Sequence, residues 1–296
     1  MNFFKKFTFN ILIISLIFYT FIPINKVFSM EETKNTKYTY IILDSDSKKL
    51  LPNRFRILPS LNISGSSQPT PSQFSNIKKK INNPNLFIID LRQESHGFIN
   101  DLAISFYNPY IILNDGFTTA ETMIQEKKDL SSIPIGKEIT TYNKTTRPLY
   151  KVFVESVKSE QNVVKDNKIN YVRLAVRDGS IPYSKTVDDF VYFVKNQIKN
   201  SHLHFHCLAG EGRTTLFLSM YQIMKNPDNL SLEDILKYQY EIGGINLLES
   251  KTKYSFLKEF YDYVKENKNT GFKVPYSKWI NHQIETASTK WFYIIL

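Results

Sequence analysis

His202-Leu-His-Phe-His-Cys-Leu-Ala-Gly-Glu-Gly-Arg-Thr-Thr215 decides how the chain is read. Leu203 and Phe205 alternate with His202, His204 and His206, the period of a half-buried strand. Beyond it, Leu216, Phe217, Met220, Ile223 and Met224 recur at helical spacing until Lys225-Asn226-Pro227, where proline stops the pattern. A strand therefore delivers Cys207 into a glycine-containing turn, and the turn opens a helix.

That arrangement makes an anion site. The first N–H groups of a helix have no partner within it, and its dipole places partial positive charge there. Gly210 and Gly212 let the chain curl so that successive N–H groups point inward. Arg213 adds a planar fork suited to two oxygens of one phosphate. The same field favours a thiolate on Cys207, which under a phosphate cradle is a nucleophile for phosphoryl transfer. A buried, inert cysteine beside a helix cap is the plainer alternative. Gly-x4-Gly-Lys is absent, so this is no nucleotide loop. The three histidines have no acidic or thiolate set at metal spacing around them, and neither metal nor cofactor is expected.

The chain has 296 residues, a net charge of +10 and one cysteine, which excludes an internal disulfide. Residues 1–29 read as a signal peptide: Lys5 and Lys6, an apolar run from Phe7 to Ile24, then Val27-Phe28-Ser29 as a cleavage site. An uncleaved anchor is the rival reading; either way the remainder is expected outside the cytoplasm, secreted or at the cell surface or periplasm. No stable membrane partner is expected after cleavage. Removing three lysines and no acid leaves a basic protein, suited to polyanions. Aromatic and lysine residues interleave without a recognisable nucleic-acid module, so no nucleic-acid partner is expected.

Along the chain, 38–43 reads as a strand and 51–73 as loop-like. Leu86-Phe87-Ile88-Ile89 reads as a strand covered on both faces. Its exit, Asp90-Leu-Arg-Gln-Glu-Ser-His-Gly-Phe98, is unusually polar; ligand sites of parallel sheets sit at such ends, which makes 90–97 a pocket wall. Ion pairing of Arg92 with Glu94 is the alternative. Short β-type runs (110–113, 138–142, 149–154) with a helix near 119–129 suggest a small antiparallel unit. The strand 171–176 leads to Arg177-Asp-Gly-Ser-Ile-Pro182, and an amphipathic helix returns to the Cys207 strand. Helices follow at 231–242, closed by Gly243-Gly244, and near 250–266; the end, 291–296, is apolar.

Four strings together carry a family likeness: 90–98, His206-Cys-x-Ala-Gly-x-Gly-Arg-Thr-Thr215, Glu241-Ile-Gly-Gly244 and Gly271-Phe-x-x-Pro-x-Ser-x-Trp279. From about 50 to 282 the chain resembles the bacterial protein-tyrosine-phosphatase-like inositol polyphosphatases, or cysteine phytases. The resemblance implies an α/β fold, a mostly parallel sheet flanked by helices, with a small antiparallel β-barrel. The expected division is 51–111 and 171–282 for the core, 38–50 and 112–170 for the barrel, and 283–296 as a tail.

It also implies roles. Cys207 attacks phosphorus, while Arg213 and the amides of Leu208, Ala209, Gly210, Glu211 and Gly212 hold the transferring group. Asp178 is the general acid and base, Thr214 bonds the sulfur, and His206 orients the loop. Arg56, Lys137 (in Pro134-Ile-Gly-Lys137) and Lys253 align with positions that hold other phosphates; each alone reads equally as a solvated charge. Two departures stand out: Gly179 follows the acid where the family often has His, and the segment from Gly244 to Lys253 is shorter than in several relatives. The expected substrate is a small polyanion: inositol hexakisphosphate and lower myo-inositol phosphates, hydrolysed stepwise. Phosphotyrosine protein or phosphoinositide is the alternative, and a non-catalytic polyanion-binding module a third reading. The intact set of Cys207, Arg213, Thr214 and Asp178 argues against the last.

Overall fold

The computed structural model describes residues 39–46, 48–226 and 228–294, with side chains to Glu285. The segment read as a signal peptide and Pro227 lie outside the described residues. No helix among the described residues is long and apolar enough to cross a membrane.

Two sheets are formed. In the first, β2 (Arg56–Leu58), β3 (Ile63–Ser66), β4 (Leu86–Arg92), β10 (Asn170–Val176) and β11 (His202–His206) lie in the order β10-β4-β11-β3-β2. β10, β4, β11 and β3 are parallel, and only β2 at the edge runs antiparallel. β11 and β4 sit inside this sheet, which is why Leu203, Phe205, Ile88 and Ile89 are all fully buried. Register places His206 level with Asp90 on one side and Ser66 on the other, so the carboxyl ends of three strands open at one edge.

The helices α1 (Pro71–Ile81), α4 (Ser184–Asn196), α5 (Gly212–Lys225), α6 (Leu232–Glu241), α7 (Lys251–Asn267) and α8 (Tyr276–Ile294) belong with this sheet; α2 (Thr119–Ser131) lies between strands of the second, and α3 (Glu160–Asp166) follows its last strand and leads into β10. The central core joins Phe190, Phe205, Phe217, Leu218, Phe256 and Phe260, each burial contributing about 1.5–3 kcal/mol. Gly65 lets α5 approach β3 closely: a β-carbon there would sit 2.7 Å from Thr214 Cγ2 and 2.9 Å from Leu218 Cδ1. Ser231 caps α6 as its position suggests, accepting from the N–H of Asp234. The Gly271–Trp279 string packs as an aromatic cluster, with Tyr263 against Phe272, Tyr276 and Trp279.

The second sheet is six-stranded, β8-β7-β1-β6-β5-β9, with β8 and β9 at its edges. Its strands are β1 (Tyr40–Ser45), β5 (His96–Ile99), β6 (Leu102–Tyr107), β7 (Glu138–Tyr142), β8 (Pro148–Phe153) and β9 (Val157–Lys158). Four expectations need correction. Residues 96–107, placed with the core, form the β5–β6 hairpin of this sheet, because Asn100 adopts positive φ and turns the chain back. The run 110–113 is not a strand but a loop with Tyr110, Ile111 and Ile112 exposed; Asn108 Oδ1 binds the N–H of Tyr110 and bends the backbone out of the sheet. The tail 283–296 continues α8 through Ile294. Residues 51–73, read as loop-like, carry β2 and β3 of the first sheet and the start of α1.

Candidate active site

The loop from Cys207 to Gly212 fills the open edge of the parallel sheet. Gly210 carries φ +73°, and a β-carbon there would lie 2.5 Å from the backbone of Ser66 and Ser67. No other residue would let the loop press so closely on the end of β3. Among the described residues, none of the N–H groups of Leu208, Ala209, Gly210, Glu211 and Gly212 donates to a backbone carbonyl. They stand free to meet an oxyanion.

Cys207 is free and 3% exposed. The hydroxyl of Thr214 donates to its Sγ at 3.2 Å. Arg213 is clamped from two directions. Its Nη1 and Nη2 donate to the two oxygens of Glu94 at 2.7 and 2.9 Å, Nη1 also reaches the carbonyl of Val176 at 3.0 Å, and Nη2 lies 3.0 Å from Asp178 Oδ1. Burial opposes ionisation of Glu94, but the guanidiniums of Arg213 and Arg92 outweigh it and hold its carboxyl well below the usual range. Asp178 itself is 68% exposed, at the tip of its loop. Acid, arginine and sulfur thus meet at one place, brought from the ends of β10 and β11 by the parallel register.

Behind the loop the charges are buried. His206 Nε2 lies 2.6 Å from Glu160 Oε1, and His206 depresses the Glu160 carboxyl to about 2 against the opposing effect of burial. Asp90 takes Tyr171, Arg173 and His96 at 2.7, 2.9 and 3.1 Å. Burial works against a cation on His96, yet Asp90 and Glu126 push it up to about 10. Asp90, Glu160 and His206 are the one acidic and histidine group among the described residues close enough to hold a metal. Those oxygens already face Arg173, His96 and Gln68, donors or cations that fill the same space. The other two histidines of β11 are differently set: His202 and His204 bond Ser64 and Ser66, and burial lowers His202 to about 4.

The three basic residues expected around the substrate part company. Lys253 stands at the site, its Nζ 3.4 Å from the carbonyl of Gly179 and its Cε beside Gly212. Arg56 is 6% exposed and turned to the loop's underside: it donates to the carbonyl of Gly210 at 3.0 Å and to Thr215 Oγ1 at 3.2 Å. It supports the loop rather than facing solvent, and burial lowers it to about 10. Lys137 is set apart. Its carbonyl accepts from Val154, whose neighbours Phe153 and Ser156 are bonded to Asn100, at the end of β5 remote from Glu94. Lys144, with Arg177, Asp178, Glu94 and Leu208, lines a cleft of about 400 Å³ that Lys137 does not line. Tyr107, at the end of β6, and the exposed loop of Tyr110, Ile111 and Ile112 line the same cleft. Glu94 was visible in the sequence only as one charge in a polar strand exit, and neither Glu160 nor Gln68 carried any local signal.

Comparison with known proteins decides the family. The family model of protein-tyrosine-phosphatase-like phytases, described by inositol hexakisphosphate, matches residues 89–225. A protein-tyrosine-phosphatase-like phytase of Bdellovibrio bacteriovorus is 30% identical at a TM-score of 0.70, over 82% of this chain and 94% of that one. The chain belongs to the protein-tyrosine-phosphatase-like phytase family. Membership goes with the α/β fold the resemblance implied. The chain is also similar to the protein-tyrosine-phosphatase-like myo-inositol phosphatase of Mitsuokella multacida, solved with myo-inositol-(1,3,4,5)-tetrakisphosphate. That match is 32% identical at a TM-score of 0.75 over 83% of this chain and 48% of that one. Effector protein hopD2 of Pseudomonas syringae pv. tomato is 27% identical over 84% of the chain and 58% of its own length. The chain therefore spans about half the length of these two longer relatives.

Proposed function

We propose that this protein is an exported phosphatase that removes phosphates stepwise from inositol hexakisphosphate and lower myo-inositol phosphates through a phosphocysteine intermediate. The observation that carries the reading is the meeting of Cys207 with Thr214, Arg213 and Asp178 at the open end of the parallel sheet. The relative solved with an inositol tetrakisphosphate supports the substrate class. The leader-like residues 1–29 support export.

In the first step the thiolate of Cys207 attacks phosphorus in line with the leaving oxygen. Arg213 and the N–H groups of Leu208 to Gly212 bind the non-bridging oxygens, where charge builds in the transition state. That cradle supplies positive charge from the protein itself. Asp178 gives its proton to the departing alkoxide, which matters because an inositol alkoxide is a poor leaving group. In the second step the same carboxylate, now ionised, takes a proton from water as its oxygen attacks the phosphocysteine. Thr214 donates to the sulfur as the S–P bond breaks, and Asp178 is left protonated for the next turn. Lys253, Lys144 and Arg177 face phosphates not being transferred.

Rates of phosphate release on inositol hexakisphosphate, a phosphotyrosine peptide and a phosphoinositide, measured side by side with chelator present, test this reading. The inositol phosphate should be favoured and chelator should change nothing. Faster turnover of either other substrate would reject the substrate class, and dependence on added metal would reject the mechanism.

A further inference from the structure

A buried path of hydrogen bonds joins the two ends of the signature loop without passing through it. It begins at His206, the residue before the nucleophile. His206 Nε2 meets Glu160 Oε1 at 2.6 Å, and the other ring nitrogen, Nδ1, is buried with no partner among the described residues. Among those residues Glu160 is therefore the hydrogen-bond partner that fixes the ring. The second oxygen of Glu160 accepts from Gln68 Nε2 at 2.7 Å and faces His96 Nε2 at 3.2 Å. Gln68 Oε1 accepts from Arg92 Nη1 at 2.8 Å, and Arg92 Nε donates to Glu94 Oε1 at 2.8 Å. Glu94 then grips Arg213, the last residue of the cradle. The backbone N–H of Gln68 also donates to the carbonyl of Leu208 at 3.1 Å, so the same residue holds the loop between its ends.

His206, Glu160, Gln68 and Arg92 are each at most 1% exposed. Burying such groups is costly, and apolar side chains of similar volume would fill the space with equal or greater stability. What this set supplies instead is fixed geometry. Glu160 opens α3 and Gln68 follows β3, so the path ties the segment after the second sheet to the end of the first. Phosphoryl transfer needs sulfur, phosphorus and guanidinium held within a fraction of an ångström through a changing geometry, and a misplacement of 1 Å can cost about 100-fold.

We propose that Glu160 and Gln68 are positioning residues of this phosphatase: they set the separation of Cys207 and Arg213 that the transition state requires. This rests on the phosphatase reading above. Neither touches the reacting atoms. Glu160 acts through His206, and Gln68 acts through Arg92, Glu94 and the carbonyl of Leu208.

The test uses the full chain with Glu160→Gln and, separately, Gln68→Met. The second variant cuts the path at its neutral link, leaves every charge in place, and decides the matter if Glu160→Gln does not fold. For each, kcat, the melting temperature, and inhibition by inorganic phosphate and by orthovanadate are measured. Phosphate reports ground-state binding; vanadate on the sulfur takes the five-coordinate shape of the transition state. In the folded variants kcat should fall about 10–100-fold and vanadate inhibition should weaken by a similar factor, while phosphate inhibition changes less than about threefold. A kcat within twofold of the parent, or equal weakening of both anions, would overturn the proposal. Wild-type protein that turns over no phosphate ester marks failure of the phosphatase reading itself, which is seen before either variant is made and removes this inference with it.

Discussion

Arg92 and Tyr110 line one cleft, yet Arg92 is fully buried and Tyr110 is 75% exposed. The floor of the cleft holds charged groups with several partners each: Arg92 is fixed by Asp44, Glu94 and Gln68, and Glu94 and Asp178 both meet Arg213 behind them. The wall is a loop of apolar side chains, and Ile112 stands 53% exposed on it. Buried, paired charge and exposed apolar surface thus meet in one cleft; under the proposed function the floor serves the chemistry, and the wall with Lys144 and Arg177 serves what is presented to it.

Changes to the floor should be felt in turnover and changes to the wall in affinity. The largest of the graded effects should come from Asp178→Asn. Its kcat on an inositol phosphate should fall about 100–1,000-fold, while inhibition by inorganic phosphate changes less than about threefold. A large loss of affinity at unchanged kcat would move Asp178 from proton donor to binding group.

The strand that carries the floor should also leave a mark on stability. In the folded protein burial lowers His202 to about 4, whereas in the unfolded chain it titrates near 6.5. Between these values the unfolded state binds more protons, so stability falls as pH drops through that window, by at most about 1.4 kcal/mol per pH unit for this group. Urea unfolding at pH 7 and pH 5 should therefore show a difference that is smaller by about 1–2 kcal/mol in His202→Asn. An unchanged difference would mean that His202 is solvated in the folded state.

The wall should respond more mildly. Tyr110→Ala combined with Ile112→Ser should change KM about two- to tenfold with kcat nearly constant, and the factor should differ between inositol hexakisphosphate and a phosphotyrosine peptide. A fall in kcat comparable to that of Asp178→Asn would erase the distinction between floor and wall. At the far end of the scale, Lys137→Ala should leave kcat/KM within about twofold, as measured by phosphate release, because Lys137 lies by Asn100 and not in the cleft. Lys253→Ala, beside Gly212, should lower it several-fold more than Lys137→Ala.

Much of this was legible because it is local. The alternation of 202–206 and the helical spacing after Gly212 fix a strand-loop-helix, and Leu86 to Ile89 gives the strand beside it. From these the anion cradle follows without knowledge of the rest. The wall could not be read so. Tyr110 to Leu113 has the composition of a strand, and only the Asn108 bond to the Tyr110 N–H turns it into a loop. Arg56 and Lys137 looked alike as basic residues in polar surroundings; burial against Gly210 and distance from the cleft distinguish them, and both depend on pairings far apart in sequence. Glu160 met His206 across 46 positions, beyond the reach of any local pattern.

The account stands on sulfur as the atom that accepts the phosphoryl group. Wild-type protein quenched in acid during turnover of inositol hexakisphosphate should carry one added phosphoryl group, located on Cys207 by peptide mass spectrometry. Turnover that persists in Cys207→Ser, or a phosphoryl group trapped on any other residue, would contradict it.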